Sequence, residues 1–327
     1  MHKTMKILIV KTSSLGDVIH CLPVINDIRN AYPDAQIDWI VEESFADILS
    51  MQPVINQVYT VAFRRWRKQL LDPKTWLEIK KLKHLIGINN YDAVIDTQGL
   101  LKSALVTRLV NGTKHGFNKQ SIREPIASYF YDKTYAISYQ QHAVRRNRAL
   151  VALGLGYVPP VNVPDYGLKA TNNLINHADL VNYLSEPFVI ILHGTSRDSK
   201  LWPTKHWINL GSALHNQQIN LLVPWSNAAE LARAKEIANG LKNAIVLPKL
   251  SIAELASIFN HAKAVIGVDT GLSHLAASLN IPTIAIYTDT NPALTGVMGS
   301  RARAINLGNI GEIPNVKTVL MHLNQIQ

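Results

Sequence analysis

Four short stretches carry the residue types from which chemistry is made. KTSSLGDVIHCLP, residues 11–23, follows an apolar run and opens a helical pattern. Ser13, Ser14 and Gly16 can fold there into a tight polar turn, with Asp17 in the first helical turn. A carboxylate so placed can accept a proton. It can equally be an acid at a helix start, stabilised by about 0.3–1 kcal/mol. HGTSRDSKLWP, 193–203, sets Thr195, Ser196 and Lys200 after another apolar run. Hydroxyls and an ammonium suit phosphate oxygens, and an ordinary strand-to-helix loop with Thr204 as cap accounts for them as well. VDTGLSHLAA, 268–277, begins where AKAVIGV ends. Thr270 can cap a helix starting near Gly271, the N–H groups of 270–272 then face an anion, and His274 lies one turn along. Each of these residues also has a plain structural use, so the combination with Asp269 at one strand end carries the case. AFRRWRKQ, 62–69, surrounds Trp66 with Arg64, Arg65, Arg67 and Lys68, a set that grips phosphates or stacks on rings. Arg123, Lys133, Arg145, Arg146 and Arg148 add charge further on.

Several other chemistries are excluded. The loop after the first strand is neither G-x-G-x-x-G nor a phosphate-binding P-loop, so a dinucleotide fingerprint is absent. Asp-Thr-Gly is also the short signature of aspartic proteases, which need two carboxylates sharing a site. Here the nearest second match, Asp96-Thr97-Gln98-Gly99, is broken by Gln98. No zinc spacing, RNA-recognition signature or helix-turn-helix accompanies the bases, which argues against a nucleic-acid module.

The elements that must position these residues alternate regularly. Apolar, β-rich runs at 6–11, 37–42, 58–63 and 91–97 are separated by helical stretches at 17–33, 76–87 and 102–110. The pattern loosens around 156–187, where GYVPPVNVPDYG is rich in proline and glycine, and then restarts. Strands are predicted at 188–194, 219–225, 244–248, 264–269 and 282–288, with helices at 204–216, 227–240, 251–261 and 271–279. Such alternation implies βαβ units on parallel sheets, and 327 residues suit two domains of about 150 each. The fold class is therefore α/β, two doubly wound parallel-sheet domains, with boundaries at 1–165 and 166–327. In such sheets ligands bind at the carboxyl ends of strands, where all four stretches fall.

The net charge of +10 is uneven, with eight bases against two acids within 61–84. A basic solvated face explains this, and so does an anionic partner: a phosphorylated substrate, a membrane surface or nucleic acid. The single cysteine, Cys21, allows no internal disulfide and reads as a packed thiol in a reducing compartment. No apolar run approaches the about 18 residues of a membrane span, and the short ILIV run near the N-terminus reads as a buried strand rather than a signal sequence.

Taken together, ILIVKTSSLGDVIHCLP, DWIVEE, VAFRRWRK, YDAVIDTQGLLKSALVTRL, REPIAS, QQHAV, LHGTSRDSKLWP, LVPWSN, VLPKLS and VDTGLSHLAA resemble the ADP-heptose:lipopolysaccharide heptosyltransferases, glycosyltransferase family 9. The resemblance runs nearly end to end, and RRWRK and KTSSLGD point at the type I members. It implies a GT-B enzyme, two Rossmann-like domains facing across a cleft, with the final helix a candidate to pack back on the first domain. It implies inverting transfer of L-glycero-D-manno-heptose from ADP-heptose onto Kdo of the lipopolysaccharide inner core, on a Kdo2-lipid A acceptor. No metal and no other cofactor are implied. By match to the family's motifs, Asp17 is the base. Thr195, Ser196, Lys200, Glu230, Asp269, Thr270, Gly271 and His274 bind the donor, Glu230 near the adenosine ribose. Ser14, Gly16, Arg64, Arg65, Trp66, Arg67, Lys68 and Arg123 meet the acceptor. The implied setting is the cytoplasmic side of the inner membrane, with the enzyme peripherally attached as a monomer and without nucleic acid. A type II enzyme acting on a heptosylated core, and a non-catalytic binder of anionic lipid or nucleic acid, are the alternatives. The chain departs from the family at YTDTNPAL, where Thr288 replaces a usual glycine, and more mildly at Gly194 and Ser226.

Overall fold

The computed structural model describes residues 4–169, 184–299 and 303–326. The chain divides into two compact units, Met1–Gly167 and Leu168–Gln327, a boundary two residues beyond the sequence expectation. Part of the loosened 156–187 stretch lies outside the described residues. The part before Gly167 is packed against the first unit: Tyr166 is buried, and its carbonyl accepts from Gln52 Nε2 at 2.8 Å.

The first unit holds one six-stranded parallel sheet. Its strands are β1 (Lys6–Val10), β2 (Gln36–Glu42), β3 (Gln57–Val61), β4 (Asn90–Asp96), β5 (Asn111–Phe117) and β6 (Lys133–Tyr135), in the order β3-β2-β1-β4-β5-β6. The second unit repeats that plan with β7 (Phe188–Leu192), β8 (Asn220–Val223), β9 (Ala244–Val246), β10 (Ala264–Val268), β11 (Thr283–Tyr287) and β12 (Ala304–Gly308), in the order β12-β11-β10-β7-β8-β9. In each, the first strand lies between the second and the fourth. That is the switch point, where the connections leave in opposite directions and open a crevice at the strands' carboxyl ends.

The central strands are buried on both faces, which is why KILIV, FVIIL, AVIGV and TIAIY read as continuous apolar runs. β5, β6 and β12 had no such signal: NGTKHGF and KTY are polar or glycine-containing, and β6 and β12 sit at sheet edges with little apolar demand. The long helix expected at 17–33 is two helices, Leu15–Cys21 and Pro23–Ala31. Pro23 supplies no N–H to continue the first and sits at the first position of the second.

In the first unit Leu8, Val10, Ile40, Val94 and Ile86 form a core on one sheet face. Among the additional bases, Arg148 is not surface charge: it is buried and paired bidentately with Asp27 at 2.7 and 2.8 Å. In the second unit Trp202, Trp207, Ile191, Leu221 and Ile266 anchor the core. The final helix, Val316–Ile326, buries Val319, Leu323 and Ile326 in that same core of the second unit. No helix among the described residues is long and apolar enough to cross a membrane.

Candidate functional site

In the second unit three strand ends converge on Asp269. The residue follows β10, and the helix Gly271–Ser278 starts immediately after it. Gly267 lets that helix approach: a Cβ there would lie 2.2 Å from Ser273 Oγ, which donates to the Val268 carbonyl at 2.8 Å. Lys200, after β7, donates from Nζ to Asp269 Oδ2 at 2.6 Å. Thr290, after β11, donates to the same oxygen at 2.7 Å, and Thr195 Oγ1 donates to the Asp269 backbone carbonyl at 2.9 Å. His274 Nε2 lies 3.9 Å from Asp269 Oδ1. Burial alone would raise the Asp269 carboxyl, but His274, Lys200 and Thr290 together hold it well below the usual carboxylate range. Asp269 is therefore ionised, and it fixes the Lys200 ammonium beside the positive end of a helix.

Thr270 occupies the N-cap position with extended backbone, but its side chain makes no capping hydrogen bond, contrary to the sequence expectation. The anion-seeking feature is the backbone: first-turn N–H groups left without intrahelical partners at a strand's carboxyl end. Ser196 is exposed on the loop leading to Lys200. The divergent 287–292 loop is tied to that loop: Thr288 Oγ1 donates to the Ser199 carbonyl at 2.8 Å, and Ser199 Oγ donates to Asp289 Oδ2 at 2.6 Å. Thr288 thus finds a partner a glycine could not offer.

Glu230 comes from the first turn of the helix Ala228–Ala238, after β8. Its Oε2 accepts from Ser226 N and Ser226 Oγ, each at 2.7 Å. The carboxylate lies over Gly194, where a Cβ would meet Glu230 Cδ and Oε1 at 2.6 Å. His193 beside it is 1% exposed; burial pushes its imidazole down to about 4, so it is neutral at pH 7.

The first unit builds its own polar crevice at the β1/β4 switch point. Asp17 Oδ2 accepts from Ser14 N at 2.8 Å and Ser14 Oγ at 3.1 Å, so the carboxylate closes the start of the helix Leu15–Cys21. The helix-start use of Asp17 is thus realised, and its second oxygen remains for other work. Gln98, after β4, takes Thr12 N at 3.0 Å and Ser13 N at 2.9 Å on its Oε1, which pins the loop that carries Asp17. Gln98 N and Gly99 N in turn donate to Asp96, a fully buried carboxyl raised by that burial.

Lys102 reaches Ser13 Oγ at 3.2 Å and lies over the Phe63 ring at 5.3 Å. Burial lowers its ammonium, Glu42 opposes that, and Arg64 and Arg67 lower it further, so three cations feel one another beside the Asp17 loop. Gln98 and Lys102 were not singled out from the sequence. Their signal was position alone: Gln98 immediately follows a predicted strand, and Lys102 opens the next predicted helix.

The basic stretch divides. Arg64, Arg67 and Lys68 are exposed, and Arg123 is exposed on the segment after β5. The neighbour of Arg123, Glu124, accepts from Leu101 N at 2.7 Å, which brings that segment to the loop after β4. Arg65 and Trp66 sit differently from these exposed cations. Arg65 pairs with Glu43 at 3.0 Å and Glu78 at 2.9 Å, its charge answered twice. Trp66 is 8% exposed, packed in the core, with Nε1 donating to Glu78 Oε2 at 2.8 Å. Neither offers an anion a free cation or a stacking face. Cys21 is buried with Sγ 3.3 Å from Thr97 Oγ1, and burial pushes its thiol up to about 11, as a packed thiol requires. Among the described residues no group of three or more His, Cys, Asp or Glu is arranged to hold a metal ion.

Similarity to known proteins agrees with this arrangement. The sequence model of glycosyltransferase family 9 (heptosyltransferase) matches residues 79–323. Lipopolysaccharide heptosyltransferase 1 of Escherichia coli K12 is 44% identical over 328 residues, 98% of this chain and 100% of that protein. The counterpart from Pseudomonas aeruginosa is 45% identical, covering 90% of this chain and 82% of that protein. The solved structure of the E. coli heptosyltransferase WaaC with ADP superposes with a TM-score of 0.89 at 41% identity, covering 99% and 100% of the two chains. The fold is accordingly of the GT-B class, with two Rossmann-like domains. A parallel-sheet pair whose strand ends present Asp17 in one unit and Lys200 with a helix N-terminus in the other, matched over almost its whole length, is a glycosyltransferase: the chain belongs to glycosyltransferase family 9, the heptosyltransferases.

Proposed function

We propose that the enzyme moves L-glycero-D-manno-heptose from ADP-heptose onto a Kdo residue of Kdo2-lipid A, inverting the anomeric centre without a metal. The observation that carries this reading is the Lys200 ammonium held at 2.6 Å by Asp269 beside the N-terminus of the helix Gly271–Ser278. As the glycosidic bond breaks, the departing ADP gains negative charge. A fixed ammonium and backbone N–H groups stabilise it there with no reorganisation at the moment of reaction. Lys200 and the first-turn N–H groups take the diphosphate, and Glu230, at the end of β8, takes the adenosine ribose. Among the relatives, WaaC has been solved both with ADP and with ADP-2-deoxy-2-fluoro heptose, which supports ADP-heptose as donor.

Asp17 then removes the proton of the acceptor hydroxyl. The freed oxygen attacks the anomeric carbon from the side opposite ADP, so a single in-line displacement inverts it. Ser14 N–H and Oγ orient one Asp17 oxygen and leave the other for that proton. Arg64, Arg67, Lys68 and Arg123, joined by Lys102, meet the phosphates and carboxylates of the acceptor. An acceptor carried by a lipid places the enzyme at the cytoplasmic face of the inner membrane.

The test is release of ADP from ADP-heptose with a heptose-free Kdo–lipid A acceptor, beside the same acceptor already carrying one heptose, each with and without a chelator. Turnover confined to the heptose-free acceptor and indifferent to chelator is expected. Turnover confined to the heptosylated acceptor moves the assignment to type II. No ADP from either overturns the reading.

A further inference from the structure

The basic segment of the first unit continues past the acceptor cations into an apolar tip, and nothing in the transfer reaction uses it. Leu71 is 100% exposed, Leu70 55%, Trp76 57% and Leu77 69%. This tip is built rather than slack. Trp76 Nε1 donates to the Leu70 carbonyl at 2.8 Å, Asp72 caps the next helix by accepting from Lys74 N at 2.9 Å, and Pro73 opens that helix. The helix Pro73–Gly87 buries Thr75, Leu82 and Ile86 and leaves Lys74, Lys80, Lys81 and Lys83 exposed beside the apolar tip. The two acids within 61–84 are both engaged, Asp72 in the cap and Glu78 with Arg65 and Trp66, while among the described residues these lysines form no ion pair.

We propose that the 70–77 tip and the lysine face of the helix Pro73–Gly87 dock the enzyme on an anionic phospholipid bilayer, with Leu70 and Leu71 entering the acyl boundary. The charge pattern selects this occupant. A protein partner's interface core is depleted in lysine. A bilayer surface accepts leucine and tryptophan at the acyl boundary while lysines reach up to the lipid phosphates. Juxtaposed bases add electrostatic attraction that falls off within a Debye length. The tip directly follows Arg67 and Lys68, so docking would set the acceptor cations at the height of lipid phosphates. The inference deepens the reading of a membrane-borne acceptor, yet its test does not depend on the transfer reaction.

The experiment is co-sedimentation of the full chain with vesicles of phosphatidylethanolamine and phosphatidylglycerol that contain no lipopolysaccharide. Phosphatidylcholine vesicles and a high-salt arm serve as comparison. The wild type should bind the anionic vesicles, bind phosphatidylcholine far less, and lose much of its binding in salt. Leu70→Ser with Leu71→Ser should weaken binding about tenfold, a factor equal to about 1.4 kcal/mol. Lys80→Gln with Lys83→Gln should flatten the salt dependence. The leucine variant should keep the wild-type unfolding midpoint and its turnover on a delipidated, water-soluble acceptor, which separates lost docking from lost folding. Equal binding to both vesicle types, no binding, or wild-type binding by the leucine variant overturns the proposal. So does a dimer that the leucine variant dissolves while vesicles bind neither form. Loss of turnover on the soluble acceptor by the wild type itself would strike the proposed reaction and leave this surface untouched.

Discussion

Lys200→Met removes a charge and keeps an unbranched stem of similar reach, so its consequences isolate the ion pair. The Lys200 and Asp269 side chains are 14% and 10% exposed and meet at 2.6 Å. Removing one partner of a fully buried pair costs about 3–5 kcal/mol, because the other charge is left uncompensated. Here Thr290 at 2.7 Å and His274 at 3.9 Å keep part of the compensation. The expected destabilisation at pH 7 is therefore about 2 kcal/mol. The pH dependence has a definite sign. Asp269 is held below the usual carboxylate range, so its contribution is present above the unfolded pKa, near 3.9, and is lost as pH falls. In the variant the carboxylate is less well held and protonates sooner, so the penalty is largest at neutral pH and shrinks as pH falls below about 5. Urea unfolding followed by near-ultraviolet circular dichroism, at neutral and acid pH, measures both. Lys200→Met with Asp269→Asn should recover most of the loss, since no buried charge is then left alone. In parallel, calorimetric affinity for ADP should fall about 10- to 100-fold, the worth of one charge-assisted hydrogen bond. A penalty below about 0.5 kcal/mol, which an ordinary surface change would give, or a penalty that grows as pH falls, refutes the argument that Asp269 and Lys200 depend on each other.

Four further outcomes follow from the geometry. Asp17→Asn should lower turnover about 10²- to 10⁴-fold with ADP affinity unchanged, as loss of a general base requires; turnover within a few-fold of wild type would remove Asp17 from that role. Arg64→Ala with Arg67→Ala should raise the acceptor KM and spare ADP binding, whereas Arg65→Ala should chiefly lower the unfolding midpoint, because its partners are Glu43 and Glu78; acceptor kinetics distinguish the two. Gln98→Leu strips the Thr12 and Ser13 N–H groups of their acceptor, at about 1–3 kcal/mol, and should lower kcat more than it changes ADP affinity. His193, down to about 4 when folded against about 6.5 unfolded, takes up its proton more readily in the unfolded chain between those values. Its contribution to stability is complete above about pH 6.5 and is lost as pH falls toward 4, so His193→Gln should flatten the urea midpoint across that window.

The sequence by itself determined the architecture and the neighbourhoods of the chemistry. Continuous apolar runs such as FVIIL and AVIGV could be satisfied only by strands buried on both faces, and their alternation with helices required parallel sheets. Since parallel strands all end on one side, KTSSLGD, HGTSRDSK and VDTGLSH had to face the crevice ends of their sheets. Strand order was not legible, and most of the remaining detail hangs on it. That Thr195, Lys200 and Thr290 close on Asp269 depends on β7, β10 and β11 being neighbours, although the paired residues stand 21 to 74 positions apart. That Gln98 anchors the Asp17 loop depends on β1 lying against β4. The same dependence divides the basic stretch: RRWRK reads as one run of cations, but Glu43 and Glu78 answer Arg65 from other elements, and the core claims Trp66. A local run specifies which charges a segment carries; only the packed neighbours decide which of them are still free to meet a ligand.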